Sequence, residues 1–498
     1  MSMAALRPEE RRRRWSEAAL VVGLLALALV LRLYDLTGES LWYDEAYSVW
    51  ISDMDVGSLK VLWAWRVEFP LYYLLFHYWL RWLGQGEFAV RLFGALAGVV
   101  TVIPMYLLGK GLFGRRAGAL GALLLAVNPY HVWYSQEVRM HSWAVLLSVT
   151  SLYLFWRLVH GGKWGWWAAH VVVTGLTFHL HYYIGWVVLA QNAYYLLHLW
   201  RERRAGRGLW PGFWPWLLDD LAVLALAIPA VVVFWVRFVA ANDWGWLVES
   251  YRAPGLRDVV GLLIAYVAGT AFPGPGALRW GVVFLYAALA AWGVWYGFRR
   301  KGAGGAWHGA TWLALLATAL PLGIIWGLGQ FAALWVPRYL LLFLPPFLLL
   351  AALGLGALSP RWLAYAGAVL LLGGSLYALS GMYGRPQKED WRGVAAYISA
   401  HATQDDLVVL MDEECRVPFS YYYGSKGVRV EVSRFADEAA LARAIGEVER
   451  KARGENLWLV VSHADGAALE SRLDAVPRLR EVDSPPFVGI RLVCYAWS

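Results

Sequence analysis

Apolar residues fall in long runs from Trp15 to Ser380 and in short runs after Arg385. About 20 consecutive apolar residues make a helix long enough to cross a bilayer. Such runs lie at 15–34, 89–108, 117–134, 142–159, 165–183, 185–200, 215–236, 278–298, 311–328, 339–358 and 362–379, which predicts about eleven spans. Two further apolar stretches are shorter. Pro70–Leu83 has aromatics on both sides and reads as a helix lying at the interface. Val259–Phe272 is too short to cross and reads as re-entrant or interfacial.

The tail has a different pattern. Leu407–Met411, Leu457–Val461 and Gly489–Tyr495 read as strands, and Trp391–His401, Glu438–Ala452 and Ala467–Ala475 as helices. The fold class expected is a polytopic α-helical membrane protein followed by a small C-terminal α/β soluble domain. The domains are 1–384, with a first outer loop at 35–88, and 385–498.

Composition supports this division. The chain is 59% hydrophobic and only 16% charged, against about 25% charged in an average soluble domain. Its 32 Trp residues cluster at the ends of apolar runs, as at Trp164, Trp166 and Trp167, like the aromatic belt of membrane spans. The net charge of +8 comes from basic residues in loops between spans. That placement follows the positive-inside rule and points away from nucleic acid as a partner. Arg11–Arg14 put the N-terminus in the cytoplasm, and an odd number of spans puts the C-terminal domain outside. The first apolar run lacks a small-residue cleavage site and reads as a signal anchor. The two cysteines, Cys415 and Cys494, exclude a disulfide framework or a cysteine metal cluster. Both fall in the outer domain, where a single disulfide between them is open.

Three polar segments interrupt this pattern. Leu41–Trp50, LWYDEAYSVW, places adjacent carboxylates Asp44 and Glu45 among aromatics just beyond the first span. A carboxylate partly shielded at a membrane surface can act as a base or hold a cation. Trp42, Tyr43 and Tyr47 offer a stacking surface for a sugar ring. Arg66–Tyr73, RVEFPLYY, puts Glu68 at the entry of the interfacial helix. Tyr134–Trp143, YSQEVRMHSW, crowds Gln136, Glu137, Arg139 and His141 into a turn between spans. Charges at such a boundary commonly serve a ligand or a partner. All three segments emerge on the outer side, where they can converge on one site together with His179 and His181.

These segments, with FHLHYYIGWVVLAQ after them and in this order, resemble the GT-C membrane glycosyltransferases. The most similar branch is that of the protein O-mannosyltransferases and the lipid A aminoarabinose transferases. RYLLLFLPP at Arg338–Pro346 and DWRGVAAYI at Asp390–Ile398 resemble bacterial members with a C-terminal outer domain. The resemblance implies a sugar donor on a polyprenyl phosphate, used at the outer face. It assigns Asp44 to the catalytic acid–base position, Glu45 to its partner and Glu137 to the second-loop acidic residue. Glu68, with Glu137, matches acidic residues that hold a divalent metal ion in the aminoarabinose branch. There a Lys follows and contacts the donor phosphate. Here Phe69 stands at that position, leaving Arg66, Arg139 or Arg338 for the phosphate. Tyr43 and His181 complete the substrate-binding set.

The mechanism expected is inverting transfer with Asp44 as general base. Phosphate is already a good leaving group, so no strong acid is required. The competing readings are an oligosaccharide transferase or glycan ligase on the same scaffold, a lipid-linked sugar flippase, and a degenerate scaffold whose outer domain does the binding. A flippase needs polar groups through the bilayer core, whereas the clear carboxylates here sit at the outer edge. The sequence leaves the acceptor open among protein, lipid and cell-wall glycan.

Overall fold

The computed structural model describes residues 8–58, 70–161, 163–206, 210–236, 252–300, 306–404, 406–411, 413–424, 429–432, 456–462 and 479–497. The expected helices Glu438–Ala452 and Ala467–Ala475 lie outside these residues, as do Arg66 and Glu68. The helices begin with α1 (Pro8–Leu33), α2 (Tyr43–Asp53), α3 (Pro70–Leu83), α4 (Glu87–Val100), α5 (Val102–Phe113), α6 (Arg115–Ala126) and α7 (Pro129–Ser135). Next come α8 (His141–Val159), α9 (Trp164–Phe178), α10 (Ile184–Arg204), α11 (Trp210–Phe234), α12 (Leu256–Ala268), α13 (Gly276–Arg299) and α14 (Ala306–Leu328). A 3-10 turn at Tyr339–Phe343 leads into α15 (Leu344–Ala357), followed by α16 (Arg361–Gly384) and α17 (Trp391–His401). Then follow β1 (Leu407–Leu410), α18 (Glu413–Tyr423), β2 (Arg429–Val432), β3 (Leu457–Val461), β4 (Leu479–Asp483), β5 (Pro486–Phe487) and β6 (Ile490–Trp497).

The chain packs as two units. One comprises residues 1–35, 55–84 and 91–384; the other comprises 36–54, 85–90 and 385–498. Among the described residues eight helical segments are long and apolar enough to cross a membrane: Pro8–Leu33, Glu87–Phe113, His141–Val159, Gly212–Phe234, Gly276–Arg299, Trp307–Leu328, Tyr339–Ala357 and Arg361–Gly384. The other three expected spans are helical but shorter or more polar. The run 117–134 divides because the Asn128 side chain accepts the His131 N–H and Pro129 opens a new helix. The run 165–183 stops at Phe178, where a turn carries His179–Tyr183. Helix α10 contains the whole expected run 185–200 and continues into the expected basic segment at Arg201, Glu202, Arg203 and Arg204. Helix α12 has 13 residues, or about 20 Å at 1.5 Å per residue, and does not reach across a bilayer.

Tyr339–Ala357 is the most deeply enclosed of the eight, with 89% of it buried. Leu344 through Leu355 are apolar on all sides and all buried, as expected of a helix at the centre of a bundle. Its backbone touches α13. A Cβ on Gly354 would lie 1.9 Å from the Leu289 carbonyl oxygen, so only glycine permits this approach. Inside the bundle His170 of α9 and Asp219 of α11 lie 2.9 Å apart, both nearly inaccessible to solvent, and tie those helices together.

The second unit is a mixed sheet in the order β2-β1-β3-β6-β4, with β5 on β6. β1 runs parallel to β2 and β3; β6 runs antiparallel to β3 and β4. Alternate side chains face opposite ways. Val408, Leu410, Trp458, Val460, Leu492 and Cys494 join Trp391, Ile398, Phe419 and Tyr423 of α17 and α18 in one core. Leu407, Val409, Leu457, Leu459, Val493 and Tyr495 form the core of the other face. Cys415 and Cys494 are buried thiols rather than a disulfide.

Candidate active site

In the second unit, Asp44 and Glu45 occupy the first turn of α2, where carboxylates favour the positive end of the helix dipole. The two neighbours differ sharply. Glu45 is fully buried. Its Oε2 lies 2.9 Å from the Lys388 ammonium, whose side chain is 8% exposed. The same oxygen lies 3.5 Å from the Trp42 backbone N–H. Asp44, one position earlier, is only half-buried. Beside it Tyr43, Tyr47 and Trp50, at i, i+4 and i+7, make one aromatic face with ring centroids 5.7 Å apart at each step. Trp50 is exposed.

In the first unit, the turn between α7 and α8 carries Glu137 and Arg139, both buried. The Arg139 Nη1 donates to the Tyr73 hydroxyl at 3.3 Å. His141 opens α8. Its ring lies 5.7 Å from that of His181 and 5.8 Å from that of Tyr339. His181 lies 4.8 Å from Tyr339, and the Arg338 guanidinium sits 5.6 Å from the centre of the Tyr339 ring. Arg139, Arg338, His141 and His181 therefore gather at one end of the bundle. His141 is fully buried, and among the described residues neither of its ring nitrogens has a hydrogen-bond partner. His179 stands apart from this group and is bound to the Leu226 carbonyl of α11.

Two features bring this turn into place. Glycines at 94 and 98 on α4 let the turn lie against the helix. A Cβ at Gly94 would come 2.9 Å from the Glu137 carbonyl oxygen, and one at Gly98 would come 2.2 Å from the Ser135 hydroxyl oxygen. Arg32, fully buried at the end of α1, donates to the Ala28, Ala126 and Leu125 carbonyls, to the Ser135 hydroxyl and to His131 Nδ1. It satisfies the open carbonyls at the end of α6 and fixes α7, from which the turn emerges.

Comparison with known proteins gives the architecture its place. No curated protein matches the chain by sequence. Residues 69–235 match the family model described as dolichyl-phosphate-mannose-protein mannosyltransferase. ArnT from Cupriavidus metallidurans, in a crystal structure bound to undecaprenyl phosphate, superposes with a TM-score of 0.59 at 15% identity, over 95% of this chain and 97% of that one. The chain has the GT-C glycosyltransferase fold. The Archaeoglobus fulgidus oligosaccharyltransferase is similar at a TM-score of 0.54 and 13% identity, over 89% of this chain and 69% of that one. The fold and the family resemblance carried by the acidic and aromatic motifs agree.

Of the GT-C site residues expected from sequence, Tyr43, Asp44 and Glu45 fall in the second unit, and Glu137, Arg139, His181 and Arg338 in the first. A divalent cation needs several oxygen or imidazole ligands. Among the described residues no three His, Cys, Asp or Glu side chains gather to hold one. Of the expected pair, Glu137 is described and Glu68 lies outside the described residues. Sequence reasoning missed Arg32, Gly94, Gly98 and Lys388. An arginine inside an apolar span is costly and rarely idle, and that signal was available for Arg32. The small pair Gly94 and Gly98, four apart, was a second signal.

Proposed function

We propose that the protein is a membrane glycosyltransferase that moves a sugar from a polyprenyl-phosphate donor to an acceptor at the outer face of the cell membrane. On this reading the N-terminus is cytoplasmic and the 385–498 domain extracytoplasmic. An acceptor hydroxyl or amine attacks the anomeric carbon, and its proton passes to the Asp44 carboxylate. The bond from that carbon to the phosphate oxygen breaks, its electron pair leaves on the polyprenyl phosphate, and the sugar carbon inverts.

The observation that carries the choice of base is the contrast between the neighbouring carboxylates. Glu45 is buried and committed to Lys388. Asp44 is half-buried beside an aromatic face suited to a sugar ring. Arg139 and Arg338 are the described cations assigned to the departing phosphate, with Arg66 the third of the set. His181 and Glu137 line the donor site, and the unpartnered nitrogens of buried His141 are available to donor oxygens. Glu137 and Glu68 are the residues that would hold a metal, which would supply further positive charge to the phosphate. The reading is supported by the undecaprenyl phosphate bound to the similar ArnT structure. The dolichol phosphate bound to the archaeal oligosaccharyltransferase AglB supports it too. That second likeness also favours an alternative, an oligosaccharide transferase with a larger donor.

The test is consumption of defined lipids by the purified protein in nanodiscs. A polyprenyl-phosphate monosaccharide should be consumed and polyprenyl phosphate released. Turnover only of lipid-linked oligosaccharides would select the alternative. Movement of intact donor between leaflets without cleavage would overturn both.

A further inference from the structure

The reading above gives Asp44 the chemistry but leaves open what holds it still. Catalysis by a positioned base is sensitive to small displacements; about 1 Å of misplacement can cost roughly 10²-fold in rate. Within the second unit, the backbone leading into Asp44 is bound by residues of the C-terminal domain. The Glu39 carboxylate accepts the backbone N–H groups of Gln387 and Lys388. The Ser40 hydroxyl donates to the Glu389 carbonyl and accepts the Trp391 N–H at 3.1 Å. The Leu41 N–H donates to the Tyr422 hydroxyl at 2.6 Å. Arg392 forks onto Glu87 at 3.1 and 2.8 Å and also donates to the Thr37 carbonyl at 3.0 Å. Helix α2 itself packs on α18.

The innermost of these ties is the Lys388–Glu45 ion pair, sealed from water on both sides. A buried carboxylate without its partner carries an uncompensated charge and drives local rearrangement. Glu45 is the residue next to Asp44, so a movement of Glu45 moves the base.

We propose that Lys388 is a positioning residue for Asp44, and that the C-terminal domain braces the acidic helix through it. The proposal rests on the reading of Asp44 as the base. In this role Lys388 acts through Glu45, to which it is paired. The domain's contribution to turnover is then geometric, exerted on α2.

The test uses the full-length protein in nanodiscs with variants Lys388→Met, Lys388→Arg, Glu45→Gln and the double Lys388→Met/Glu45→Gln. Lys388→Met should lower kcat by roughly 10²-fold, with the KM for the lipid donor changed by less than about threefold. Lys388→Arg should recover much of the loss, since the charge is kept. The double variant, which removes both charges of the pair, should lose no more than Lys388→Met alone. Hydrogen exchange gives a readout independent of turnover. Lys388→Met should expose the 43–53 amides while those of 457–461 stay protected. That result would uphold the brace even if no polyprenyl donor is ever consumed. If Lys388→Met also exposes 457–461, the double variant is compared in its place, and it must show the turnover loss with 457–461 protected. Normal kcat in Lys388→Met, losses that multiply in the double variant, or unchanged exchange at 43–53 would each overturn the proposal.

Discussion

Gly94 faces the backbone carbonyl of Glu137 so closely that a Cβ on it would lie 2.9 Å from that oxygen. The Ser135 carbonyl would lie 3.0 Å from the same Cβ. Both contacts are to backbone, so neither yields by a rotamer change. Gly94→Ala should therefore push the Ser135–Glu137 turn away from α4. Overpacking of this kind costs about 1–3 kcal/mol. It should also displace Glu137 and Arg139, with a turnover loss of roughly tenfold or more. Thermal unfolding and turnover, measured together, check it. Full activity in Gly94→Ala would mean that the placement of this turn does not matter to the reaction.

The second prediction concerns the cations. If Arg139 and Arg338 bind the donor phosphate, removing either charge forfeits a charged hydrogen bond worth about 1.5–3 kcal/mol. Arg139→Met and Arg338→Met should each weaken donor binding roughly 10- to 100-fold. Tyr73→Phe removes the 3.3 Å contact to Arg139, keeps the charge, and should be mild. Titration of a fluorescent polyprenyl phosphate into each variant makes the comparison. Unchanged affinity in both arginine variants would remove them from the phosphate site.

Much of this architecture is legible in the sequence because apolar length is a direct measure of membrane thickness. Among the described residues, eight of the expected spans appear as helical segments long enough to cross. Of the other three, 117–134 breaks at Asn128 and Pro129 and 165–183 stops at Phe178, while 185–200 lies within the helix Ile184–Arg204. The central strands Leu407–Leu410 and Leu457–Val461 are apolar on both faces and easily found. The outer strands Arg429–Val432 and Leu479–Asp483 carry charges and escaped. Within the site, Asp44, Glu45 and the Glu137 turn stand out because charges are rare near the spans. Lys388 could not be found this way. It pairs with a residue 343 positions earlier, and no local pattern marks so distant a contact. Likewise, nothing in the sequence groups residues 36–54 with the C-terminal chain.

Asp406 gives a prediction in pH. Burial would raise its pKa, but four hydrogen bonds outweigh burial and hold the carboxyl below the ordinary range. They come from the Thr403 N–H and hydroxyl, the Asn456 N–H and the Trp458 indole N–H. A depressed pKa contributes stability that is present above the unfolded value, about 3.9, and is lost as pH falls through the folded value. The amides of β1 and β3 should stay protected at neutral pH and lose protection below about pH 4. Asp406→Asn should weaken them already at pH 7. Hydrogen exchange at both pH values, corrected for intrinsic rates, checks it; a pH-independent wild type would contradict it.

The thiols give a chemical test of the same domain. Burial, with Asp406 and Asp483 nearby, pushes Cys494 up to about 12. The thiolate is the reactive form, so a thiol held this high reacts slowly at pH 8. Native protein should resist maleimide at Cys494, while denatured and unreduced protein should take up two labels. A single mass matching a disulfide would contradict the buried thiols.

The central claim is that Asp44 accepts the proton of the attacking group. The most direct measurement is turnover of Asp44→Asn on a polyprenyl-phosphate sugar, with donor affinity determined separately on the same preparation. The substitution keeps the shape and removes the basicity. Turnover should fall by roughly 10²- to 10⁴-fold, the usual contribution of a positioned acid–base group, while donor affinity survives because it depends on the lipid and the arginines. Glu45→Gln, which alters only the residue bound to Lys388, should fall less. Near-normal turnover by a well-folded Asp44→Asn would contradict the account and transfer the role to Glu45 or Glu137.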